Sequence, residues 1–172
     1  MRSRVVILSL LLFLLPACQS KKERMGAEIK RAGGSVQIDE QESGKPVVAV
    51  DLHGTDGTDA LLRRLEELPL LRQLDLAGTD VTDAGLAPLR EMSGLQELNL
   101  STTKVGDDGL KHLAGLTQLR ELGLGGTRVT DAGLAHLHGL KRLERLNLFG
   151  TPVSEDGIRA LRNELPQADV QH

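Results

Sequence analysis

The residues able to act as nucleophiles, bases or metal ligands are few and scattered. Covalent catalysis needs a Ser or Cys with a convergent His and acid, and the chain of 172 residues has one cysteine, Cys18, and five histidines. His53 lies beside Asp51 and Asp75, which places an imidazole near carboxylates, but no Ser is expected at the same or adjacent strand-face positions. His112 and His136 recur at an offset of 24 residues with His138 close by, and stacked imidazoles would suit zinc. The same column holds Arg64 and Pro88, however, and alternates with apolar Leu, as a solvated face does. The pairs Gly33-Gly34 and Gly125-Gly126 lack the strand–turn–helix context and following Lys or Gly that phosphate binding requires, so they read as turns. The expectation is a protein that is not an enzyme, with no catalytic residue, no cofactor and no metal.

What positions these residues is a core of unusual composition. Aromatics are 1% of the chain, there is no Trp or Tyr, and the two Phe are Phe13 and Phe149. A compact core of this size ordinarily uses several aromatics as large fillers, so one built from Leu and Val implies thin, repeated layers. The formal net charge is -3, which disfavours nucleic acid as a partner, since that would need a basic stripe.

Residues 1–18 combine a basic start (Arg2, Arg4), the apolar run Val5 to Leu15, and Pro16-Ala17-Cys18. This is the layout of a secretory signal, and the run is too short for a bilayer span of about 20 residues. Leu15-Pro16-Ala17-Cys18 resembles the bacterial lipobox, although Pro16 departs from its usual Ala or Ser. The resemblance implies cleavage before Cys18 and acylation of that residue, hence a lipid-anchored protein of the cell envelope. Gln19 in place of the Asp that retains such proteins in the inner membrane favours the outer one. Removal of Arg2 and Arg4 takes the basic count from 21 to 19 against 24 acidic side chains, a net of about -5.

Aligned at an offset of 24, the rest of the chain falls into columns. Thr55, Thr79, Thr103, Thr127 and Thr151 form one. Leu74, Leu98, Leu122 and Leu146, opened by Val50, form another, with Leu52, Leu76, Leu100, Leu124 and Leu148 two residues later. Asp59, Asp83, Asp107, Asp131 and Glu155 share a column, followed by Gly85, Gly109, Gly133 and Gly157. Leu-x-Leu has the period of a strand. Leu86, Leu89 and Met92 recur every three residues and place an apolar stripe on a short helix. Thr82 and Asp83 suit its N-cap, and Gly85 suits close packing or a tight turn. A unit this thin cannot bury its leucines alone, so the units must stack. The hydroxyl of each column Thr can donate and accept, and is expected to satisfy loop backbone of neighbouring units.

Over residues 47–170 this pattern resembles the leucine-rich-repeat family, in particular bacterial repeats with Gly-Thr after the strand, related to the cysteine-containing subclass. The resemblance implies an α/β fold, a curved leucine-rich-repeat solenoid with a parallel sheet on the concave face and short helices on the convex face. Carried over by position, the concave residues are Ala49, Asp51, His53, Gln73, Asp75, Ala77, Glu97, Asn99, Ser101, Glu121, Gly123, Gly125, Arg145, Asn147 and Phe149. Acidic or small in four units, they end in Arg145 and Phe149, types favoured as interface anchors. Five strands make a face roughly 20 Å wide, and fifteen residues fall short of a stable interface of about 20–30 a side.

The expected organisation is a signal peptide at 1–17, a tether at 18–24, an N-terminal cap at 25–46, five repeats at 47–162 and a C-terminal cap at 163–172. In the caps, Met25 to Ala32 reads as a helix, Ser35 to Ile38 and Pro46 to Leu52 as strands, and Ala168 to Val170 as a last edge strand after Leu165-Pro166, which fall one residue out of phase. The leading function is a membrane-anchored binding or scaffolding module for a protein, a peptide (a basic one suits the acidic strip) or a cell-envelope polysaccharide. The alternatives are a passive structural envelope lipoprotein and a protein-degradation adaptor, which the lipid anchor disfavours.

Overall fold

The computed structural model describes residues 21–56 and 59–172. Cys18 and the signal sequence lie outside the described residues. The chain runs α1 (Lys21–Arg31), β1 (Ser35–Ile38), β2 (Val47–Asp51), α2 (Asp59–Leu62), β3 (Gln73–Asp75), β4 (Glu97–Asn99), α3 (Asp107–Leu110), β5 (Glu121–Gly123), α4 (Asp131–Leu134), β6 (Arg145–Asn147), α5 (Glu155–Glu164) and β7 (Asp169–Gln171). Short 3-10 turns follow α2 and α4, and a 3-10 helix, Asp83–Glu91, replaces an α-helix in the second unit. No helix among the described residues is long and apolar enough to cross a membrane.

The strands form one sheet in the order β1 to β7. β1 pairs antiparallel with β2, and every later pair is parallel and in register at one repeat: Leu74 opposite Leu98, Leu98 opposite Leu122, Leu122 opposite Leu146. Leu74, Leu98, Leu122 and Leu146, with Leu52, Leu76, Leu100, Leu124 and Leu148, are buried to 2% exposure or less in one continuous core. The architecture is the expected α/β solenoid. Its ends are closed by the caps: Met25 and Ile29 of α1 are fully buried at one end, and Leu165 and Val170 cover the last unit at the other.

Two boundaries differ from the sequence expectation, and both differences are physical. α1 already includes Lys21 to Arg24, ahead of the anticipated Met25, and Lys22 Nζ donates to the carbonyls of Gly44 (2.9 Å) and Lys45 (2.7 Å), which ties this turn to the β1–β2 turn. The last helix, α5, runs to Glu164, past the expected end of the repeats at 162, and its being a full α-helix accounts for the expected phase slip at Leu165. A 3-10 helix has three residues per turn, which gives the spacing Leu86, Leu89, Met92, whereas α5 buries Ile158, Leu161 and Leu165 at spacings of three and four. The strand then returns to phase, and Val170 sits opposite Leu146.

The threonine column does not bridge units. Each hydroxyl closes its own turn by donating to the leucine carbonyl three residues back, at 2.6–2.8 Å for Thr55, Thr79, Thr103, Thr127 and Thr151. Neighbouring units are joined by backbone instead. The left-handed residue after each strand donates across to the next unit, as Gly78 does to Ser101 (2.9 Å) and Gly126 to Phe149 (2.7 Å). That column needs positive φ and is Gly at 54, 78, 126 and 150, but Thr102 holds φ 58 in the third unit, a costly conformation for a β-branched residue.

The aspartate column is where units lock. Asp59 accepts from Thr82 N (3.0 Å) and Thr82 Oγ1 (2.6 Å), Asp107 from Thr130 N and Oγ1 (2.7 Å each), and Asp131 from Ser154 N (2.8 Å) and Oγ (2.5 Å). Asp83 accepts from Gly106 N (2.6 Å), and Gly106 brings no hydroxyl to the position that Thr82, Thr130 and Ser154 fill in the other units. Thr130 and Ser154 bond the preceding Asp and also accept a capping N–H, from Ala132 and Gly157, whereas Thr82, which precedes a 3-10 helix, stands at the N-cap position without a capping bond. The glycine column makes room for these carboxylates. A Cβ at Gly85, Gly109, Gly133 or Gly157 would stand 2.0–2.5 Å from an Oδ1 of the preceding unit's Asp.

Candidate functional site

With the leucines turned inward, period-two alternation turns residues one place before and after them to the opposite face of the sheet. There they line an open groove of about 500 Å³. Of the concave residues expected from sequence, the structure brings together Ala49, Asp51, Gln73, Asp75, Glu97, Asn99, Ser101, Glu121, Gly123, Arg145 and Asn147. His53 and Phe149 do not line it: they lie past the strand ends, exposed, Phe149 at 56%. Ala77 and Gly125 are buried in that outer row.

The groove also includes Ser35 and Gln37 of β1 and Gln171 of β7. Sequence reasoning missed them because the caps carry no repeat column. The signal was present in the strand readings of Ser35–Ile38 and Ala168–Val170, which extend the sheet to seven strands and its face to about 29 Å at 4.8 Å per strand.

Side chains of the groove are held by two sets of bonds. Asp51, Asp75, Asn99 and Asn147 each use Oδ1 to accept the backbone N–H two residues on, at 2.9–3.1 Å, which fixes their rotamers at the strand ends. Across strands, Gln73 Nε2 donates to Glu97 Oε1 (2.9 Å), Asn99 Nδ2 reaches Asp75 Oδ2 (3.4 Å), and Arg145 pairs with Glu121. At Gly123 the absent side chain leaves space that Asn99 Oδ1 enters, 2.4 Å from where a Cβ would stand. Asp51 is in register with Asp75, and Glu97 with Glu121. Like charges in register on neighbouring strands destabilise a sheet, and one arginine answers them.

The groove can accept hydrogen bonds and cationic groups. One expectation requires correction: β1 places Ser35 directly opposite Asp51, so a serine does occupy the strand beside the His53 region. No hydrogen bond among the described residues joins Ser35 to His53, and a nucleophile–base pair is not assembled. On the opposite side of the molecule His112 Nδ1 lies 2.9 Å from Arg90 Nη2. Burial, then the Arg90 charge, push its pKa below the ordinary imidazole value. Among the described residues no group of three or more His, Cys, Asp or Glu is placed to hold a metal ion.

This geometry is that of a leucine-rich-repeat solenoid, and the leucine-rich-repeat family model matches residues 67–89 and 94–114. An internalin from Listeria monocytogenes superposes with a TM-score of 0.55 at 22% identity, over 64% of this chain and 30% of its own. The ectodomain of the receptor kinase SOBIR1 from Arabidopsis thaliana gives 0.58 at 15% identity, over 90% of this chain and 98% of its own. The GASSHO1/SCHENGEN3 receptor-kinase ectodomain of the same plant, solved in complex with CASPARIAN STRIP INTEGRITY FACTOR 2, gives 0.56 at 18% identity, over 78% and 16%. At these identities the likeness is one of fold, and the chain spans less than a third of the internalin. No curated protein sequence matches it.

Proposed function

We propose that the chain is an envelope-anchored recognition module that holds a basic segment of a protein or peptide on the concave face of its sheet. The fold belongs to a class used for protein and peptide binding, and the GASSHO1/SCHENGEN3 ectodomain was solved with such a partner. The observation that carries the reading is the groove's charge: Asp51 stands opposite Asp75 on β2 and β3, Glu97 stands opposite Glu121 on β4 and β5, and Arg145 alone answers them. A cationic side chain laid along β2 to β4 relieves that repulsion. Anchoring rests on the lipobox-like Leu15 to Cys18, with Cys18 as the acylated residue, and Gln19 directs the chain to the outer membrane.

The test is binding of Lys- and Arg-rich peptides to the full chain, with Asp75→Asn and Glu97→Gln as comparisons. Binding that weakens in both variants and falls with salt supports the reading. Uniform binding in all three proteins, or capture of an uncharged envelope glycan with no peptide bound, overturns it. Mass spectrometry of the native amino terminus decides the anchor separately: an acylated Cys18 supports it, and an unmodified or uncleaved terminus refutes it.

A further inference from the structure

Among the described residues, two of the three exposed large hydrophobic side chains, Ile38 (42%) and Leu70 (44%), belong to the N-terminal end of the solenoid. Ile38 is the register partner of Val47. Pro46 and Val47, at the start of β2, and Leu68, Pro69 and Leu70, just before β3, line a shallow apolar groove of about 280 Å³, with Lys22 of α1 on its rim. The repeat does not demand this surface. The columns that hold Pro69 and Leu70 hold Ser93 and Gly94, Thr117 and Gln118, and Lys141 and Arg142 in the later units, and all but the half-buried Gln118 are exposed. In these two columns apolar exposure is thus confined to the first unit, where solvent would otherwise favour the polar residues found downstream.

That end is also where the proposed anchor joins. Cys18 precedes Lys21 by three residues, a reach of at most about 11 Å, and Lys22 is fastened to the β1–β2 turn that borders the groove. Lys22 supplies positive charge at the groove, where the one carboxylate, Glu67, is paired with Arg64, and Lys21 and Arg24 adjoin Lys22 in the sequence, as suits an anionic headgroup layer. We infer that this apolar edge docks on the lipid bilayer, seating Pro46, Pro69 and Leu70 in the interface so that the molecule is held at a fixed orientation and not merely tethered. The inference rests on the anchor reading.

The chain lacks Trp and Tyr, so a single introduced indole reports without background. Full-length chain, processed in cells and reconstituted into phosphatidylethanolamine–phosphatidylglycerol vesicles with brominated acyl chains, is first floated on a density gradient. L70W is then compared with F149W, which lies at the opposite ends of the strands. Flotation with L70W blue-shifted and quenched, and F149W neither, supports docking. Flotation with L70W unquenched, or with both indoles quenched alike, overturns docking and leaves the anchor standing. A chain that does not float overturns the anchor, and docking falls with it.

Discussion

Two polar rows run the length of this solenoid, and they obey opposite rules. Along the flank, Asp59, Asp83, Asp107 and Asp131 repeat one chemistry, each carboxylate reaching into the next unit over a glycine that has no room for a methyl group. Along the concave face, Asp51, Asp75, Asn99, Gly123 and Asn147 share a column yet differ in size and charge. The flank row is repeated because each rung serves the same junction. The concave row can vary because Asp and Asn alike supply the Oδ1 that its turn needs, and its other atoms join no unit-to-unit lock of the flank kind. Uniform columns mark what the stack requires, and the uneven one is where the proposed partner would be read.

The sharpest way to break this contrast is at one rung. Asp107→Ala should destabilise the chain by about 2–3 kcal/mol, the scale for losing hydrogen bonds to a charged group. Gly133→Ala should cost about 2 kcal/mol by overpacking, because its Cβ would stand 2.3 Å from Asp107 Oδ1. The double variant should lose at least about 1 kcal/mol less than the sum, since the methyl group then fills space the carboxylate vacated; urea denaturation of the four proteins measures this. Additive losses would show that the two residues act apart.

A smaller gain is expected at the incomplete rung. Gly106 has φ -128, which any residue adopts, and its Cβ would lie an ordinary 3.6 Å from Asp83 Oδ2. Gly106→Thr should supply the missing hydroxyl and stabilise by about 1 kcal/mol, read as a higher urea midpoint. On the concave face, Asp75→Asn and Glu97→Gln should shift stability by less than about 0.5 kcal/mol, because Asn keeps the acceptor that Ala77 N–H needs. A larger loss would mean the groove is structural.

The smallest effect is a titration. Hydrogen bonds from the Ser154 hydroxyl, then its backbone N–H, hold the Asp131 carboxyl below its ordinary pKa. A carboxyl depressed on folding adds stability above its unfolded pKa, and that contribution is lost as pH falls through the folded value. Ser154→Ala should raise the Asp131 pKa toward the ordinary carboxylate range and begin that loss at higher pH, followed by carbon-detected NMR of the side chain.

The leucine layers were legible in the sequence because burial imposes a strict period, and the 3-10 spacing of Leu86, Leu89 and Met92 was visible in the same columns. The flank lock was not. An Asp beside a Thr and ahead of a Gly reads locally as a helix cap and a turn, and nothing in one unit says that its carboxylate is bound 23 residues away. Ser35, Gln37 and Gln171 escaped for a complementary reason: they complete the groove from caps, where no neighbouring unit supplies a column to compare.

The misfit at Thr102, the one non-glycine in the left-handed column, and the hydroxyl-free rung at Gly106 fall within five residues of each other. One thins the junction with the second unit, and the other strains the turn that bonds onward to Gly125 of the fourth. In a stack where each layer grips only its neighbours, a layer with both defects is the expected place for heat or pulling force to split the repeats.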